Sequence, residues 1–323
     1  MKQVLLAVAT LALVAAGTAF AHGKQAGGNA ERVFTLQPDP AGNPEGVEYD
    51  RRNRAFYVSS TADGAIYRGT LDSDTVTPYI PGGAGKAAVG LEVRRNHLYV
   101  AGGPTGTITV YDLATKNAVA TFQTGAGGFL NDLVVTPRGD VYVTDSFRPT
   151  LWHVTREQVE AGGGTPQALD VSSGIPYQAQ FNLNGIVAKT ARKLVVVQTN
   201  TGKLFRIDLA PGGDAISAID EIEGVSLPGG DGMILDRGKL VVVQGGASPQ
   251  LSFVKLKSGA TRAESRGTLT SAKLRGPSTV ARAKQLYLVV NADFASSTKP
   301  FTVAGLPARG AGKTAALSAA RTR

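Results

Sequence analysis

A short strand-like segment recurs six times along the chain, and this repeat restricts the fold more than any other feature. The segments begin at residues 46, 90, 132, 185, 232 and 277, at intervals of 42 to 53 residues. A repeat of this length that contains several strands is typical of the blades of a β-propeller, which pack side by side and close into a ring. We therefore predict a single all-β domain, a six-bladed β-propeller, over residues 32–306.

The texture between these segments supports the same fold. Short runs of Val, Leu, Ile and Tyr with period-two alternation are separated by clusters of Gly, Pro, Asn and Asp, the pattern of strands and turns. In every repeat a second apolar run follows the first after a short turn, as in residues 55–58 and 97–100. Residues 32–36 are predicted to close the ring by pairing into the last repeat, and Thr155 to Ala161 to form one short helical turn.

The positions directly before the six segments are chemically unusual. They are occupied by Glu45, Val89, Asn131, Asn184, Asp231 and Gly276. Equivalent positions in a closed ring face one axis, so the four carboxylate or carboxamide side chains would converge there. Oxygen donors that include two carboxylates suit Ca²⁺ or Mg²⁺, whereas Zn²⁺ or copper would favour His or Cys. The pattern predicts a divalent metal site made by Glu45, Asn131, Asn184 and Asp231; the alternative is that each residue only shapes its turn.

The first 21 residues have the features of a cleaved signal peptide. Lys2 is followed by an apolar stretch from Val4 to Ala16 and by the small-residue pattern of Ala19 and Ala21. We predict export to the periplasm or the extracellular medium, with a flexible lead-in over residues 22–31. No later stretch reaches the roughly 18 to 20 apolar residues of a membrane-spanning helix, so no transmembrane segment is predicted.

Composition excludes several classes of site and partner. The chain has no Cys, which excludes disulfides and thiolate chemistry. Its net charge is +9, and a predicted basic tail over residues 307–323 contributes Arg309, Lys313, Arg321 and Arg323 without any acid. A positive charge favours weak association with anionic envelope polymers. No basic stripe is interleaved with aromatic residues, so we expect no nucleic-acid partner.

The motifs around the predicted metal ligands resemble those of one family. They are Pro44-Glu45-Gly46, Asn131-Asp132, Asn184-Gly185 and Asp231-Gly232-Met233, together with the run from Pro137 to Ser146. In order and spacing they resemble the senescence marker protein (regucalcin)/gluconolactonase family, a group of calcium-dependent six-bladed propellers. The resemblance covers roughly residues 40 to 300.

The resemblance implies roles for individual residues. Glu45, Asn184 and Asp231 would be direct metal ligands, and Asn131 a ligand or a substrate contact. Family enzymes hydrolyse lactones and related esters, with the metal polarising the ring carbonyl and activating water. Asp132 is then the candidate general base; otherwise it is a turn residue bonded to backbone N–H groups.

The chain departs from the family at the substrate side. Sugar-lactone members commonly place an Arg two residues before the central Asn, where this chain has Phe129. A smaller or more apolar ligand is implied, with Phe129 as a substrate contact. The longest interval between repeats, which contains Gln178 and Gln180, is either an insertion over the channel mouth or an ordinary surface loop.

Two functional hypotheses follow. The first is an exported, calcium-dependent lactonase or esterase-like hydrolase that acts on a small-molecule lactone or ester. The second is a non-catalytic binding or scaffold propeller of the cell envelope, in which the metal only stiffens the ring.

Overall fold

The structure is a computed structural model that describes residues 30–308. The predicted signal peptide, residues 22–29 of the predicted lead-in and the chain beyond residue 308 lie outside the described residues. Within them, the architecture is all-β apart from one short α-helix, α1 (Arg156–Ala161), and a 3₁₀ turn at residues 258–260. The helix confirms the short helical turn predicted for Thr155 to Ala161. Thr155 itself is the N-cap, because its side chain accepts a hydrogen bond from the Gln158 N–H.

Four kinds of strand recur along the chain. The strands that begin each repeat are β2 (Pro44–Asp50), β6 (Leu91–Arg94), β10 (Leu130–Val135), β14 (Leu183–Thr190), β18 (Gly230–Asp236) and β22 (Pro277–Ala283). We call these the first strands. The second strands are β3 (Ala55–Ser60), β7 (His97–Ala101), β11 (Val141–Asp145), β15 (Lys193–Gln198), β19 (Lys239–Gln244) and β23 (Leu286–Asn291).

The outer strands complete each repeat. The third strands are β4 (Ile66–Thr70), β8 (Thr107–Asp112), β12 (Thr150–Val154), β16 (Lys203–Leu209), β20 (Gln250–Leu256) and β24 (Thr302–Pro307). The fourth strands are β5 (Thr75–Ile80), β9 (Ala118–Gln123), β13 (Gln167–Asp170), β17 (Ile216–Ile222), β21 (Ala263–Leu269) and β1 (Arg32–Leu36). The third strand β24 extends to Pro307, one residue beyond the predicted boundary.

The strands form four four-stranded antiparallel sheets and one eight-stranded sheet with the order β2-β3-β4-β5-β1-β24-β23-β22. The N-terminal strand β1 pairs antiparallel with β24, with Arg32 opposite Gly305, which confirms the predicted pairing into the last repeat. It also pairs in parallel with β5, at Thr35 and Leu36. The first and last repeats are thereby joined through the N-terminal strand.

The first strands surround the axis. Each of β2, β6, β10, β14 and β18 contacts the first strand of the next repeat, and β22 contacts β2. Each repeat contains four strands of alternating direction, so the chain is back at its starting face when the next repeat begins. All six first strands therefore run in the same direction relative to the axis. The residues at their starts therefore lie at one face of the molecule, and the hairpin turns at their ends lie at the opposite face.

The hydrophobic core lies between neighbouring sheets. One cluster, for example, combines Val134 and Tyr142 of one sheet with Ile186 and Val196 of the next. Such face-to-face packing requires both faces of each second strand to be apolar, and these strands are buried almost throughout. The architecture is that of a propeller, in which sheets stack around an axis.

Removing the Phe34 ring should test the joint between the first and last repeats. Phe34 of β1 is fully buried and packs edge-to-face on Phe56, with 5.1 Å between ring centroids. We expect Phe34→Ala to lower the free energy of unfolding by about 3–5 kcal/mol, because it leaves a cavity at this joint. Denaturant unfolding measures the change. Val119→Ala, at a residue that is 40% exposed, is the control and should change it by less than about 0.5 kcal/mol; equal losses would contradict the assigned role of β1.

Candidate functional site

Each of the four predicted metal ligands lies in a β-bulge. The pairing register between the first and second strands shifts between Pro44 and Val47, Leu130 and Leu133, Leu183 and Ile186, and Gly230 and Met233. These intervals contain Glu45, Asn131, Asn184 and Asp231, respectively. A bulge adds a residue to one strand and redirects its side chain, which is why bulges occur beside functional sites.

Glycine after the ligand position lets neighbouring first strands approach closely. A Cβ on Gly46 would lie 2.3 Å from the carbonyl oxygen of Val89, and one on Gly185 would lie 2.4 Å from that of Asp231. Neither position could hold a larger residue without a backbone shift. This approach brings the leading residues of separate repeats to one cavity.

The four side chains end in oxygen atoms that lack hydrogen-bond partners. Eight buried side-chain polar atoms in the described part of the chain have no hydrogen-bond partner, and four of them belong to this set: Glu45 Oε2, Asn131 Oδ1, Asn184 Oδ1 and Asp231 Oδ1. Buried polar atoms in proteins are normally paired. Four unpaired oxygens on one cavity fit the oxygen-only ligand set of a hard cation.

Neighbouring groups determine which atoms face the cavity. The Asn131 amide donates through Nδ2 to Ser146 Oγ at 2.9 Å, and Ser146 Oγ donates to the carbonyl oxygen of Leu183 at 2.6 Å. The Asn184 side chain hydrogen-bonds to the Asp231 carboxylate. Because the Asn131 amide group is used as a donor, its carbonyl oxygen is left for the cavity.

The electrostatics of the site also favour a cation. Burial raises the pKa of the Glu45 carboxyl well above its usual range, and the neighbouring Asp231 and Asp132 raise it further. Burial also raises the pKa of Asp231 to about 7, although the hydrogen bond from Asn184 opposes the shift. None of the described residues that line the cavity carries a positive charge. A bound cation would supply the missing countercharge.

The unpaired oxygens of Glu45, Asn131, Asn184 and Asp231 lie at the base of the cavity, and we call them the oxygen floor. The walls above it are mainly apolar. The cavity has a volume of about 480 Å³, and its walls include Val89, Pro104, Phe129, Phe181 and Phe294. Two threonines, Thr61 and Thr199, also line it, but their hydroxyls donate to the backbone carbonyls of Asn43 and Gly230. The lining therefore offers an apolar surface and few free hydrogen-bond donors.

The aromatic part of the wall is a packed cluster. Phe129, Phe147 and Phe181 lie with ring centroids 5.0 to 5.6 Å apart. Asp145 positions two of these rings, because its Oδ1 accepts hydrogen bonds from the backbone N–H groups of Phe129 at 3.0 Å and Phe147 at 3.1 Å. Arg148 donates to the second Asp145 oxygen at 2.7 Å. The buried Asp145 carboxylate, paired with the half-buried Arg148, thus holds two loops at the mouth of the cavity.

The long interval between the third and fourth repeats supplies the third ring. Asn182 is buried and its amide donates to the carbonyl oxygens of Gln178 at 2.9 Å and Gln180 at 3.0 Å. The backbone is held in place around Phe181, whose ring faces the cavity. The insertion therefore reaches the channel mouth, but through Phe181 rather than through either glutamine.

Asp132, the predicted general base, lies on the other side of the oxygen floor. It lines a second cavity of about 320 Å³ together with Glu48 and Glu92. Its carboxylate accepts hydrogen bonds from the N–H groups of Leu133 at 2.8 Å and Ile186 at 3.4 Å. Burial raises its pKa to about 7, against the effect of these two hydrogen bonds.

The structure thus brings Glu45, Phe129, Asn131, Asn184 and Asp231 to one cavity, and leaves Asp132 behind it. Sequence reasoning missed Phe147, Phe181 and Phe294. The length of the third interval pointed to the loop of Phe181. For the other two, the only available signal was an isolated phenylalanine within a polar turn sequence.

Comparisons with known proteins support the fold. No family model and no curated protein matches the chain by sequence. Among solved structures, a gluconolactonase from Xanthomonas campestris is 18% identical with a TM-score of 0.60, covering 86% of this chain and 89% of that one. A luciferin-regenerating enzyme is 13% identical with a TM-score of 0.61, covering 87% and 97%.

A third similar structure is Mala s 1, the major allergen of Malassezia sympodialis. It is 15% identical with a TM-score of 0.64, covering 82% of this chain and 92% of that one. At these identities the likeness shows the propeller fold alone.

The stability of the chelator-treated protein should depend on pH. The folded-state pKa of Asp231 lies above its unfolded value, so its contribution to stability is present at low pH and is lost as pH rises through about 7. We expect the Tm in chelator to fall between about pH 5 and pH 8, and added Ca²⁺ to raise it more at pH 8, where the carboxylates are charged. Differential scanning calorimetry measures both shifts.

Asp231→Asn and Glu45→Gln are the variants for this experiment, because each removes one charge and keeps the size of the side chain. Both should decrease the calcium-induced rise in Tm, and Asp231→Asn should also reduce the dependence on pH. A Tm that is unaffected by calcium in the unsubstituted protein would show that the four side chains are turn residues only.

Proposed function

We propose that this protein is a divalent-cation-dependent hydrolase of small-molecule lactones or esters, with calcium as the cation. The observation that carries the proposal is the floor of four unpaired oxygen atoms beneath an apolar cavity. The similarity to a gluconolactonase and a luciferin-regenerating enzyme supports the lactonase-like type only through the shared fold.

The proposal includes six blades. The eight-stranded sheet is counted as two four-stranded blades, β2 to β5 and β22 to β24 with β1, linked through the parallel pair of β1 and β5. The cyclic contacts among the six first strands support this count. With it, Glu45, Asn131, Asn184 and Asp231 come from blades one, three, four and five.

These four residues would hold the cation. When bound, the cation polarises the substrate carbonyl and stabilises the negative charge that develops on its oxygen. Glu45 and Asp231 supply two negative charges, and Asn131 and Asn184 supply neutral oxygens, of which that of Asn131 is oriented by the hydrogen bond of its amide to Ser146. Because Ca²⁺ in proteins takes more than four oxygen ligands, this donor set would leave coordination positions for the substrate oxygen and for water.

The cavity walls suit a neutral substrate with an apolar substituent. Phe129, Phe181 and Phe294 would contact this substituent and exclude water from the reacting carbonyl. A polyhydroxylated sugar lactone would find few free donors here, because the hydroxyls of Thr61 and Thr199 already donate to the backbone. The substitution of Phe129 for the Arg of sugar-lactone enzymes agrees with this substrate class.

Hydrolysis adds water to the carbonyl carbon and breaks the ester C–O bond, so one proton must move from water to the leaving oxygen. Asp132 remains our candidate for the proton acceptor, with a pKa raised to about 7. Asp132 lies behind the oxygen floor, so it would accept the proton through a water that reaches past Asn131. Alternatively, it would act through its negative charge, which raises the pKa of Glu45.

The placement of Asp132 also favours the second candidate, a non-catalytic binding propeller with a structural metal. The described cavity lining contains no carboxylate other than the two proposed ligands, and no His. In this case the cavity would bind an apolar small molecule without turnover. Export through residues 1–21 is part of both proposals, and the predicted association of the tail with anionic envelope polymers remains a prediction.

Asp231→Ala should separate the two candidates. If the protein is a hydrolase, this variant should lose at least about 100-fold in kcat/KM for an apolar lactone such as γ-nonalactone, because a cation ligand at the reacting group is removed. Release of the hydroxy acid can be followed by a pH indicator. Asp72→Ala, at an exposed acid on an outer turn, is the matched control. Turnover that survives in Asp231→Ala would contradict the assignment, and a calcium-stabilised protein without turnover would favour the binding propeller.

Phe181→Ala tests the substrate class. We expect kcat/KM to fall by about five- to tenfold for γ-phenyl-γ-butyrolactone, through loss of ring contacts, and to change little for unsubstituted γ-butyrolactone. Leu235→Ala is the control, since Leu235 is similarly exposed, at 38% against 40% for Phe181, but lies at the opposite face. Equal losses for the two lactones would show that Phe181 does not contact the substituent.

A further inference from the structure

Positive charge is concentrated around the mouth of the ring opposite to the oxygen floor. The six turns between first and second strands span residues 51–54, 95–96, 136–140, 191–192, 237–238 and 284–285. They carry one carboxylate, Asp140, and eight cationic side chains, which we call the basic ring: Arg51, Arg52, Arg54, Arg95, Arg138, Arg192, Arg237 and Lys284. Every one of the six turns contributes at least one member.

The outer turns at the same face are balanced in charge. The turns between third and fourth strands within residues 71–262 carry five acids and four cations. The acids are Asp72, Asp74, Glu157, Glu160 and Asp214, and the cations are Lys116, Arg156, Lys257 and Arg262. The excess positive charge therefore belongs to the turns nearest the axis and is not a general property of this face.

The cations of the basic ring are exposed and unneutralised. All eight side chains are solvent-exposed. Ion pairs within residues 30–308 involve other cations, such as Arg32 with Asp74 and Arg148 with Asp145, and none includes a member of the basic ring. Arg138 donates to the carbonyl oxygen of Pro211 at 2.8 Å, but no member of the basic ring is paired with a carboxylate of the described chain, so their charges are available to an external anion.

Four members of the ring occupy backbone positions that favour glycine or asparagine. The φ angles are 51° at Arg54, 57° at Arg95, 51° at Arg237 and 51° at Lys284. A cationic residue with a long side chain is strained in this region relative to Gly or Asn. Arg95, Arg237 and Lys284 hold the first position of two-residue hairpin turns, where the turn geometry itself favours positive φ, so cations recur where Gly or Asn is usual.

The ring also encloses a cavity suited to an anionic group. A cavity of about 500 Å³ is lined by Arg51, Arg54, Arg237, Arg282 and Lys284, from the turns of three repeats and the strand beside them. Its one acid is already paired: Asp236 accepts from the Tyr287 hydroxyl at 2.8 Å and lies 3.4 Å from Arg282 Nε. Guanidinium groups in this arrangement match the oxygens of a phosphate.

The described chain ends at this same face. The N–H of Ala308 donates to the carbonyl oxygen of Gln285, in the turn that holds Lys284. The next residues in the sequence include Arg309, Lys313, Arg321 and Arg323 and no acid. The predicted basic tail therefore begins beside the basic ring.

We infer that the basic ring binds an anionic phospholipid surface. The turns end six equivalent strands at one face of the molecule, so their cations surround the axis and form a broad positive surface suited to an array of lipid phosphates. Leu235, 38% exposed, is the one large apolar side chain exposed beside these turns in the described chain, so the contact is electrostatic rather than inserted. Without exposed aromatic rings for stacking, the face is poorly suited to single-stranded nucleic acid. Bound in this way, the protein presents its apolar cavity away from the membrane.

The test uses flotation of the full-length protein with vesicles of equimolar phosphatidylcholine and phosphatidylglycerol, and with phosphatidylcholine alone. We expect binding to the anionic vesicles only, and its loss between about 0.1 M and 1 M salt, where the screening length falls from about 10 to 3 Å. The variant Arg54→Asn/Arg237→Asn/Lys284→Asn removes three cations at positions where Asn is tolerated, so it should keep its Tm. It should bind at least about tenfold more weakly.

Two matched variants locate the contact. Lys86→Gln/Lys273→Gln/Lys299→Gln removes the same charge from loops at the cavity face and should bind as the unsubstituted protein does. Substituting the four tail cations by Gln should weaken vesicle binding. Adding the three ring substitutions to this tail variant should weaken binding further. The inference is overturned if the cavity-face variant loses as much vesicle binding as the ring variant, or if the tail substitutions alone abolish vesicle binding. It is also overturned if the protein binds long-chain polyphosphate in solution but does not bind the vesicles.

Discussion

Where neighbouring first strands meet at the axis, the backbone of one strand reaches the backbone of the next, and glycine is the residue that leaves room for it. A side chain at Gly46 or Gly185 would collide with a carbonyl oxygen of the adjacent strand. The bulges at the starts of these strands depend on the same closeness, because they turn side chains from separate repeats into one cavity. The candidate site is thus a consequence of how the ring closes.

That closure places like charges in a buried environment. Glu45, Asp231 and Asp132 come from different repeats, and burial raises the pKa of each. The described lining of the cavity that contains Glu45 and Asp231 includes no cationic side chain to compensate these two carboxylates. The hard cation that we propose would meet both requirements of this arrangement, since it would supply positive charge and coordinate the oxygens that have no hydrogen-bond partner.

The two faces of the ring differ in chemistry because they are built from different loops. The phenylalanines lie on loops that precede the first strands or follow the second strands. The buried side chains of Asp145 and Asn182 hold these loops in place by hydrogen bonds to backbone groups. The turns that follow the first strands carry arginine and lysine. In the proposals made here, one face therefore recognises a small apolar molecule and the other an extended anionic surface.

The sequence by itself determined the strands, their repeat, the N-terminal closing strand and the four leading residues from Glu45 to Asp231, because period and composition are local properties. The tertiary structure alone decided that Phe181 and Phe294 stand over those residues, that Phe147 packs against Phe181, and that Asp132 faces the other cavity. It also decided that cations scattered from Arg51 to Lys284 form one ring. Those outcomes depend on contacts between distant repeats and on bulges that change the facing of a side chain by one position. The alternation of apolar and polar residues within one strand specifies neither the contacts between repeats nor the positions of the bulges.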